Sequence, residues 1–334
     1  MMRDFLNIKP KVIFGCLVLW ITFSVQAKEN PLPFGHIHLY NFDDCDLCGC
    51  STSSGSFGFG TLSNANFIGV RYIYQEYESR NGIFVNSPTI DEKFNTYQVW
   101  GQIPVYKSFY VTASVPYQDL HRYYHDRTEE HIKGLGDITV IGWYKWQFYK
   151  KKQADKVDMN MDGPEKSPHA LQFGIGVKLP TGEFEEELTD RINPGFQVGT
   201  GSFDGIFSVG YNLSIKRFGA NTLATYYLKG ENKNDYKFGN QFSYSLSTFY
   251  AFPFETFNFM PFVGLSGDVY DSIEQYGETL PETDGSILNS SFGVEVATKR
   301  FIVGANYTLP LSQNLFGENV ELKNRLSVYL NFAL

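Results

Sequence analysis

From about Asn66 to the last residue, apolar and polar side chains alternate with period two in one short segment after another. In the final segment Leu326, Val328, Leu330, Phe332 and Leu334 share one face, and Ser327 and Asn331 lie on the other. Leu171, Phe173, Ile175, Val177 and Leu179 alternate in the same way with Gln172, Gly174, Gly176 and Lys178. Phe109, Val111, Ala113, Val115 and Tyr117 alternate with Tyr110, Thr112, Ser114 and Gln118. Successive side chains of a strand point to opposite faces, so each segment has one apolar face and one polar, glycine-containing face. Beyond residue 25 no apolar run reaches the roughly 18 residues that a spanning helix needs, whereas a tilted strand crosses a bilayer in about 10.

Twelve such segments are expected, at about 66–77, 94–105, 108–118, 135–149, 169–180, 195–212, 218–229, 238–252, 258–270, 286–298, 300–310 and 321–334. A soluble sandwich or propeller would need polar outward residues, yet one whole face of nearly every segment is apolar or aromatic. In lipid only a closed sheet satisfies every backbone group. The expected fold class is therefore all-β: an outer-membrane transmembrane barrel of about 12 antiparallel strands.

Composition removes the alternatives. The 30 Phe, 22 Tyr and 4 Trp are too many apolar rings for a disordered chain. A net charge of −8 argues against nucleic acid as a partner. The partners that fit are outer-membrane lipid and small hydrophobic solutes.

Arg3, Lys9 and Lys11 precede an apolar run from Val12 to Phe23, and Val25-Gln26-Ala27 follows as a small-residue cleavage site. Residues 1–27 read as a secretory signal peptide, 28–64 as a Cys/Gly/Ser-rich N-terminal segment, and 65–334 as the barrel. Connections alternate in length. Short ones follow the second strand (Tyr106-Lys107), the sixth (Leu213 to Arg217), the eighth (Pro253 to Phe257) and the tenth (Lys299), and longer ones follow the odd strands. Short periplasmic turns and long outer loops produce that rhythm; Lys150 to Pro168 is the exception, long on the periplasmic side. The outer loops are net negative and the periplasmic connections net positive, which disfavours anions at the outer mouth.

Three stretches occur in fixed order: GLGDITVIGWYKW (Gly134 to Trp146), GVKLPTGEF (Gly176 to Phe184) and NPGFQVGTGSFD (Asn193 to Asp204). Together they resemble the transporter-like outer-membrane proteins of the MetA-pathway phenol-degradation family, which is related to the fatty-acid-channel superfamily. The resemblance implies a barrel that passes small hydrophobic or aromatic compounds. The N-terminal CDLCGCSTSSGSFGFG resembles the head of a Bacteroidetes-like subgroup of these proteins and lies outside the general family pattern.

Few residues carry chemistry. Cys45, Cys48 and Cys50 form C-x-x-C-x-C, with His36 and His38 upstream and Asp43, Asp44 and Asp46 interleaved. Thiolates and imidazoles at this spacing suit copper or zinc; a structural disulfide with a spare thiol is the competing reading. The alternative functions are thus metal binding through this segment, or a purely structural barrel. His121, His125 and His131 share one outer loop with Asp126, Glu129 and Glu130, a set that fits no fixed metal template. Asp158, Asn160, Asp162 and Gly163 copy the first half of a calcium loop, but its last ligand position holds His169 instead of Glu. An enzymatic barrel would need a Ser nucleophile beside a His, and no such motif adjoins any histidine. Gly58-x-Gly60 lacks the strand-to-helix context of nucleotide binding.

Processing should leave a chain that begins near Lys28 and sediments with the outer membrane. N-terminal sequencing of the mature protein and membrane fractionation check this, and recovery in the soluble periplasm would overturn it.

Overall fold

A computed structural model of the chain describes residues 66–80, 88–149, 166–184 and 193–334. Twelve antiparallel strands close on themselves. They are β1 (Phe67–Arg80), β2 (Thr89–Tyr106), β3 (Phe109–Tyr123), β4 in two runs (Glu129–Leu135 and Ile138–Tyr149), β5 (Lys166–Leu179) and β6 (Asp204–Ile215). Then come β7 (Phe218–Leu228), β8 (Gln241–Tyr250), β9 (Asn258–Tyr270), β10 (Gly285–Ala297), β11 (Phe301–Leu315) and β12 (Val320–Ala333). Both runs of β4 pair with β3, and the chain steps off the ladder between them at Gly136-Asp137. Each strand pairs with its sequence neighbours, and β1 pairs with β12, Phe67 opposite Ala333 and Tyr72 opposite Val328. The ring therefore has no edge, and every wall strand has a hydrogen-bonded neighbour on both sides.

The alternation sorts the side chains as expected. Leu326, Val328, Leu330, Phe332 and Leu334 all face outward, and Arg325, Ser327, Tyr329 and Asn331 between them are buried inside. Phe173, Ile175 and Val177 likewise point out, against Gln172 and Lys178 in the lumen. An outward belt this continuous would drive aggregation in water and is matched only by hydrocarbon. Aromatic rings flank it. Near the short turns stand Tyr106, Phe109, Trp146, Phe218 and Phe301; toward the other rim Tyr72, Tyr97 and Tyr117 lie in register across β1, β2 and β3.

Two-residue turns join β2 to β3 (Lys107-Ser108) and β6 to β7 (Lys216-Arg217), with Lys107 at φ 38° and Lys216 at φ 55°, the twist that a tight hairpin requires. Apart from residues 150–165, which join Tyr149 to Lys166 at the short-turn rim, the longer connections start and end at the opposite rim, so the short turns mark the periplasmic side. Residues 150–165, with Asp158, Asn160, Asp162 and Gly163, fall outside the described part, as do the signal segment and residues 28–64.

Two expectations need correction. The sixth strand begins at Asp204, not near residue 195. Residues 193–200 are buried throughout, which no wall strand with a lipid face can be, and Pro194, Gly195, Gly199 and Gly201 (φ 68°) break the extended path. Several strands also run past their expected ends at the outer rim: β2 starts at Thr89, β3 reaches Tyr123 and β11 reaches Leu315. There the outward positions turn polar (Asp91, Lys93, Asp119, His121), because the strands have left the hydrocarbon while their pairing continues.

Val328→Arg or Leu330→Arg should destabilise the barrel by about 2–4 kcal/mol if the site lies near the midplane, as read by reversible urea unfolding in liposomes. Ser327→Ala, which faces the lumen, should cost far less.

Candidate functional site

Inside the wall the strands present amides and hydroxyls (Gln75, Gln98, Gln118, Gln172, Thr225, Asn331) together with buried charges. Those charges balance among the described residues: Arg71, Arg122, Lys178, Lys229 and Arg325 against Glu92, Asp137, Asp204, Asp268 and Glu295. An electroneutral interior avoids the self-repulsion that a single-sign lining would impose at low dielectric.

Buried apolar side chains form a cluster toward each rim, and a third, of Tyr110, Ile141, Trp143, Ile206, Leu223 and Tyr227, runs along β3, β4, β6 and β7 between them. Toward the periplasmic rim Phe67, Trp100, Phe249, Met260, Phe262 and Tyr329 form one cluster. Phe67 meets Trp100 edge-on at 4.5 Å, and Arg71 lies 4.8 Å above the Trp100 ring. Toward the outer rim Tyr77, Phe94, Leu120, Ile287, Leu315 and Leu322 form another, and its central member, Phe196, does not belong to the wall.

Phe196 arrives on the segment joining β5 to β6. That segment leaves the wall at Leu179 and returns at Asp204, yet Phe196 reaches β2, 5.9 Å from the Phe94 ring and 4.1 Å beneath the Arg122 guanidinium. Its cluster also includes residues of β10, β11 and β12. The segment therefore folds into the outer part of the lumen. Asn193, three residues before Phe196, donates from Nδ2 to Glu92 Oε2. Glu92 in turn accepts from Arg122 Nε at 2.8 Å and from Ser79 Oγ at 2.9 Å.

A second fastening holds both its beginning, at Gly182, and its end, at Thr200. Asp137, at the break in β4, accepts at Oδ1 from the Gly182 amide (2.9 Å) and at Oδ2 from the Thr200 amide (2.8 Å) and hydroxyl (2.7 Å). Lys178 on β5 lies 3.1 Å from Asp137 and 2.9 Å from Asp204, and Lys229 lies 3.2 Å from Asp204. Asn232 donates to the Thr200 carbonyl at 3.0 Å. Acids and bases thus alternate in a buried chain, Asp137, Lys178, Asp204, Lys229. Gly182 and Gly199 touch backbone to backbone: a Cβ on Gly199 would come within 2.5 Å of the Gly182 Cα and carbonyl carbon. Only glycine permits that approach.

This network explains the three sequence stretches. Asp137 comes from the first, Lys178 and Gly182 from the second, and Gly199, Thr200 and Asp204 from the third, and the fold brings all of them to one latch. The model of the family described as "Putative MetA-pathway of phenol degradation" matches residues 89–313. The chain belongs to this family. Among solved structures, this phenol-degradation family barrel is similar to an outer membrane channel from Pseudomonas putida F1, with TM-score 0.58 and 12% identity over 81% of this chain and 96% of that one. It also matches the β domain of the Bordetella autotransporter BrkA (TM-score 0.49, 9% identity, 81% and 100% covered) and the NanC porin (TM-score 0.42, 11% identity, 79% and 100% covered). No curated protein sequence matches it. Family and fold place the chain in the outer membrane of a Gram-negative bacterium.

The other candidate residues separate. Cys45, Cys48, Cys50, His36 and His38 lie outside the described residues, as do Gly58 and Gly60. His169 on β5 sits 2.5 Å from the Tyr211 hydroxyl. In the β3–β4 hairpin, Asp126 accepts from the Thr128 amide at 2.9 Å, and Glu130 pairs with Arg122 at 3.1 Å. His121 and His131 face each other across the hairpin with Glu129 beside them, and they are joined by Asp119, which the sequence reading did not include. Asp119 and His121 are two residues apart on one strand, a spacing that puts both on one face, so the signal was present once the strand was extended beyond residue 118.

Lys178→Met should leave Asp137 and Asp204 facing each other without their shared cation. A buried pair broken in this way costs about 3–5 kcal/mol. The expected readout is new proteolytic cleavage within residues 181–203 while the barrel keeps its strand content by circular dichroism; unchanged protease resistance would show that Lys178 is not part of the latch.

Proposed function

We propose that this protein is a passive channel for small, neutral hydrophobic or aromatic solutes, with Phe196 as the constriction near the outer mouth. The observation that carries the reading is an apolar plug in a polar, charge-balanced lumen. A water-filled pore for sugars or ions has no use for Tyr77, Phe94, Leu120 and Phe196 packed together across its mouth. A neutral ring can replace Phe196 among those side chains at little cost, since apolar contact is exchanged for apolar contact, whereas an ion would have to shed its water there. Farther in, Gln and Ser side chains can bond a hydroxyl on such a solute, and the Trp100 and Tyr329 rings offer a second apolar station before the periplasmic exit. Family membership and the likeness to a barrel that is itself an outer membrane channel agree with this reading.

Phe196 sits on a connecting segment and not on the wall, so it can move without opening the sheet. Its release requires the Arg122 stacking contact and the Asn193–Glu92 bond to yield, while the Asp137 latch holds the segment on both sides of Phe196, at Gly182 and at Thr200. Arg122 thus acts as the clamp.

In vesicles with a lipopolysaccharide outer leaflet, the full chain should raise the flux of phenol or benzyl alcohol above the protein-free rate by a larger factor than that of benzoate or a sugar of similar size. Phe196→Ala should raise the flux several-fold and weaken the preference for rings. If both the natural protein and the Phe196→Ala variant leave every solute at the protein-free rate, the channel reading fails.

A further inference from the structure

We propose that Asp119, His121 and His131 form a binding site for a transition-metal dication, of the zinc, nickel or copper(II) class, on the outward face of the β3–β4 hairpin. The pairing register builds it. His121 on β3 lies directly opposite His131 on the first run of β4, and Asp119 shares the His121 face two residues earlier. One ligand atom from each of the three lies within 4.8 Å of the others. The two imidazoles stack with centroids 4.1 Å apart and planes 10° apart, and both rings turn a nitrogen to the same carboxylate oxygen: His131 Nε2 is 2.7 Å and His121 Nε2 3.4 Å from Asp119 Oδ1.

The opposite edge of His121 points to the ligand. Its Nδ1 lies 2.8 Å from Glu129 Oε1. With a cation held among Nε2 of His121, Nε2 of His131 and Oδ1 of Asp119, the His121 ring would donate Nδ1–H to Glu129 and present its Nε2 lone pair to the metal. A carboxylate behind a ligating imidazole is the arrangement that fixes the tautomer and raises ligand basicity in metal sites.

Two imidazoles and one carboxylate select borderline metals over calcium or magnesium, which prefer oxygen alone. Bonds of 2.0–2.1 Å in a tetrahedral site hold ligand atoms about 3.3 Å apart. The 3.4 Å pair of His121 and Asp119 already has that spacing, and the 2.7 Å pair of His131 and Asp119 must open by side-chain rotation. Side-chain exposures of 23%, 27% and 37% for His121, Asp119 and His131 leave room for water to complete the shell. Two lysines neighbour the site by register: Lys133, opposite Asp119 on β4, and Lys93, opposite His121 on β2, which lies over the Tyr123 ring at 5.4 Å. The site stands just beyond Tyr117, in the aqueous zone above the outer aromatic row. A bound ion would tie the two arms of the hairpin on its outward face, one residue from Arg122, the clamp of the lumen segment.

The test uses the full chain in detergent with Cys45, Cys48 and Cys50 changed to Ser, so that thiols contribute nothing. Zinc titration followed by calorimetry should show an equivalent that disappears in the His121→Ala/His131→Ala variant and weakens at least tenfold in Glu129→Gln. Copper(II) paramagnetic resonance should show two coupled nitrogens at this site, falling to one in either single His variant. Unheated gel migration verifies that each variant keeps its barrel, and Asp119→Asn provides a second route should a His variant fail that check. Zinc stoichiometry and the nitrogen pattern unchanged by the double His substitution, or no zinc bound at all, would overturn the proposal.

Discussion

A backbone amide or carbonyl in hydrocarbon has no water to bond, and leaving one unsatisfied costs several kcal/mol, so a chain that crosses lipid as strands must close. Here closure rests on the pairing of β1 with β12, which joins the beginning and end of the wall from Phe67 opposite Ala333 to Ser79 opposite Val320. Everything else follows from that ring. Once closed, alternation stops being a pattern and becomes two environments: odd positions of β1 enter the lumen and even ones meet lipid. The aromatic rows, the lipid belt and the polar interior are consequences of one constraint.

Closure creates a second problem, because the wall encloses polar groups away from bulk water. The chain answers by bringing part of itself inside. The segment between β5 and β6 supplies Phe196 to an apolar cluster and Asn193 and Thr200 to buried acids. Its two fastenings differ in kind. The Asp137–Lys178–Asp204–Lys229 chain is a dense set of buried ion pairs and amide bonds that tolerates no change of partner without leaving a charge stranded. Around Phe196 the segment is held by ring contacts, the Arg122 cation–π contact and the Asn193–Glu92 bond.

The outer loops reinforce this division. Tyr236, Phe238 and Ile273 form a small apolar cluster with Phe184, Leu280 and Phe316, beneath short strands at Tyr236–Lys237, Glu274–Gln275 and Glu278–Thr279. Phe316, held at φ 51°, packs against both this cluster and the one around Phe196. A left-handed conformation at a bulky residue costs of order 1 kcal/mol or more and persists only where packing demands it. The cap over the mouth and the plug within it are therefore one connected body of apolar contacts.

The sequence by itself determined the wall. Period-two alternation is a local property, so Leu326 to Leu334 could be assigned to lipid, and twelve strands counted, without a single long-range contact. The same signal failed where the environment changed: above the membrane the outward positions become polar, so β2, β3 and β11 continue past their expected ends, and Asp119 stayed hidden. It failed again at 193–203, where inward folding buries both faces and periodicity loses its meaning. The three ordered stretches carried the family resemblance, but nothing in them grouped Asp137, Lys178 and Asp204. Only the tertiary structure brings them from β4, β5 and β6 to one latch, places Phe196 beneath Arg122, and sets His121 opposite His131. Those juxtapositions depend on register and on a loop's path through space, and neither is written in the spacing of residues along the chain.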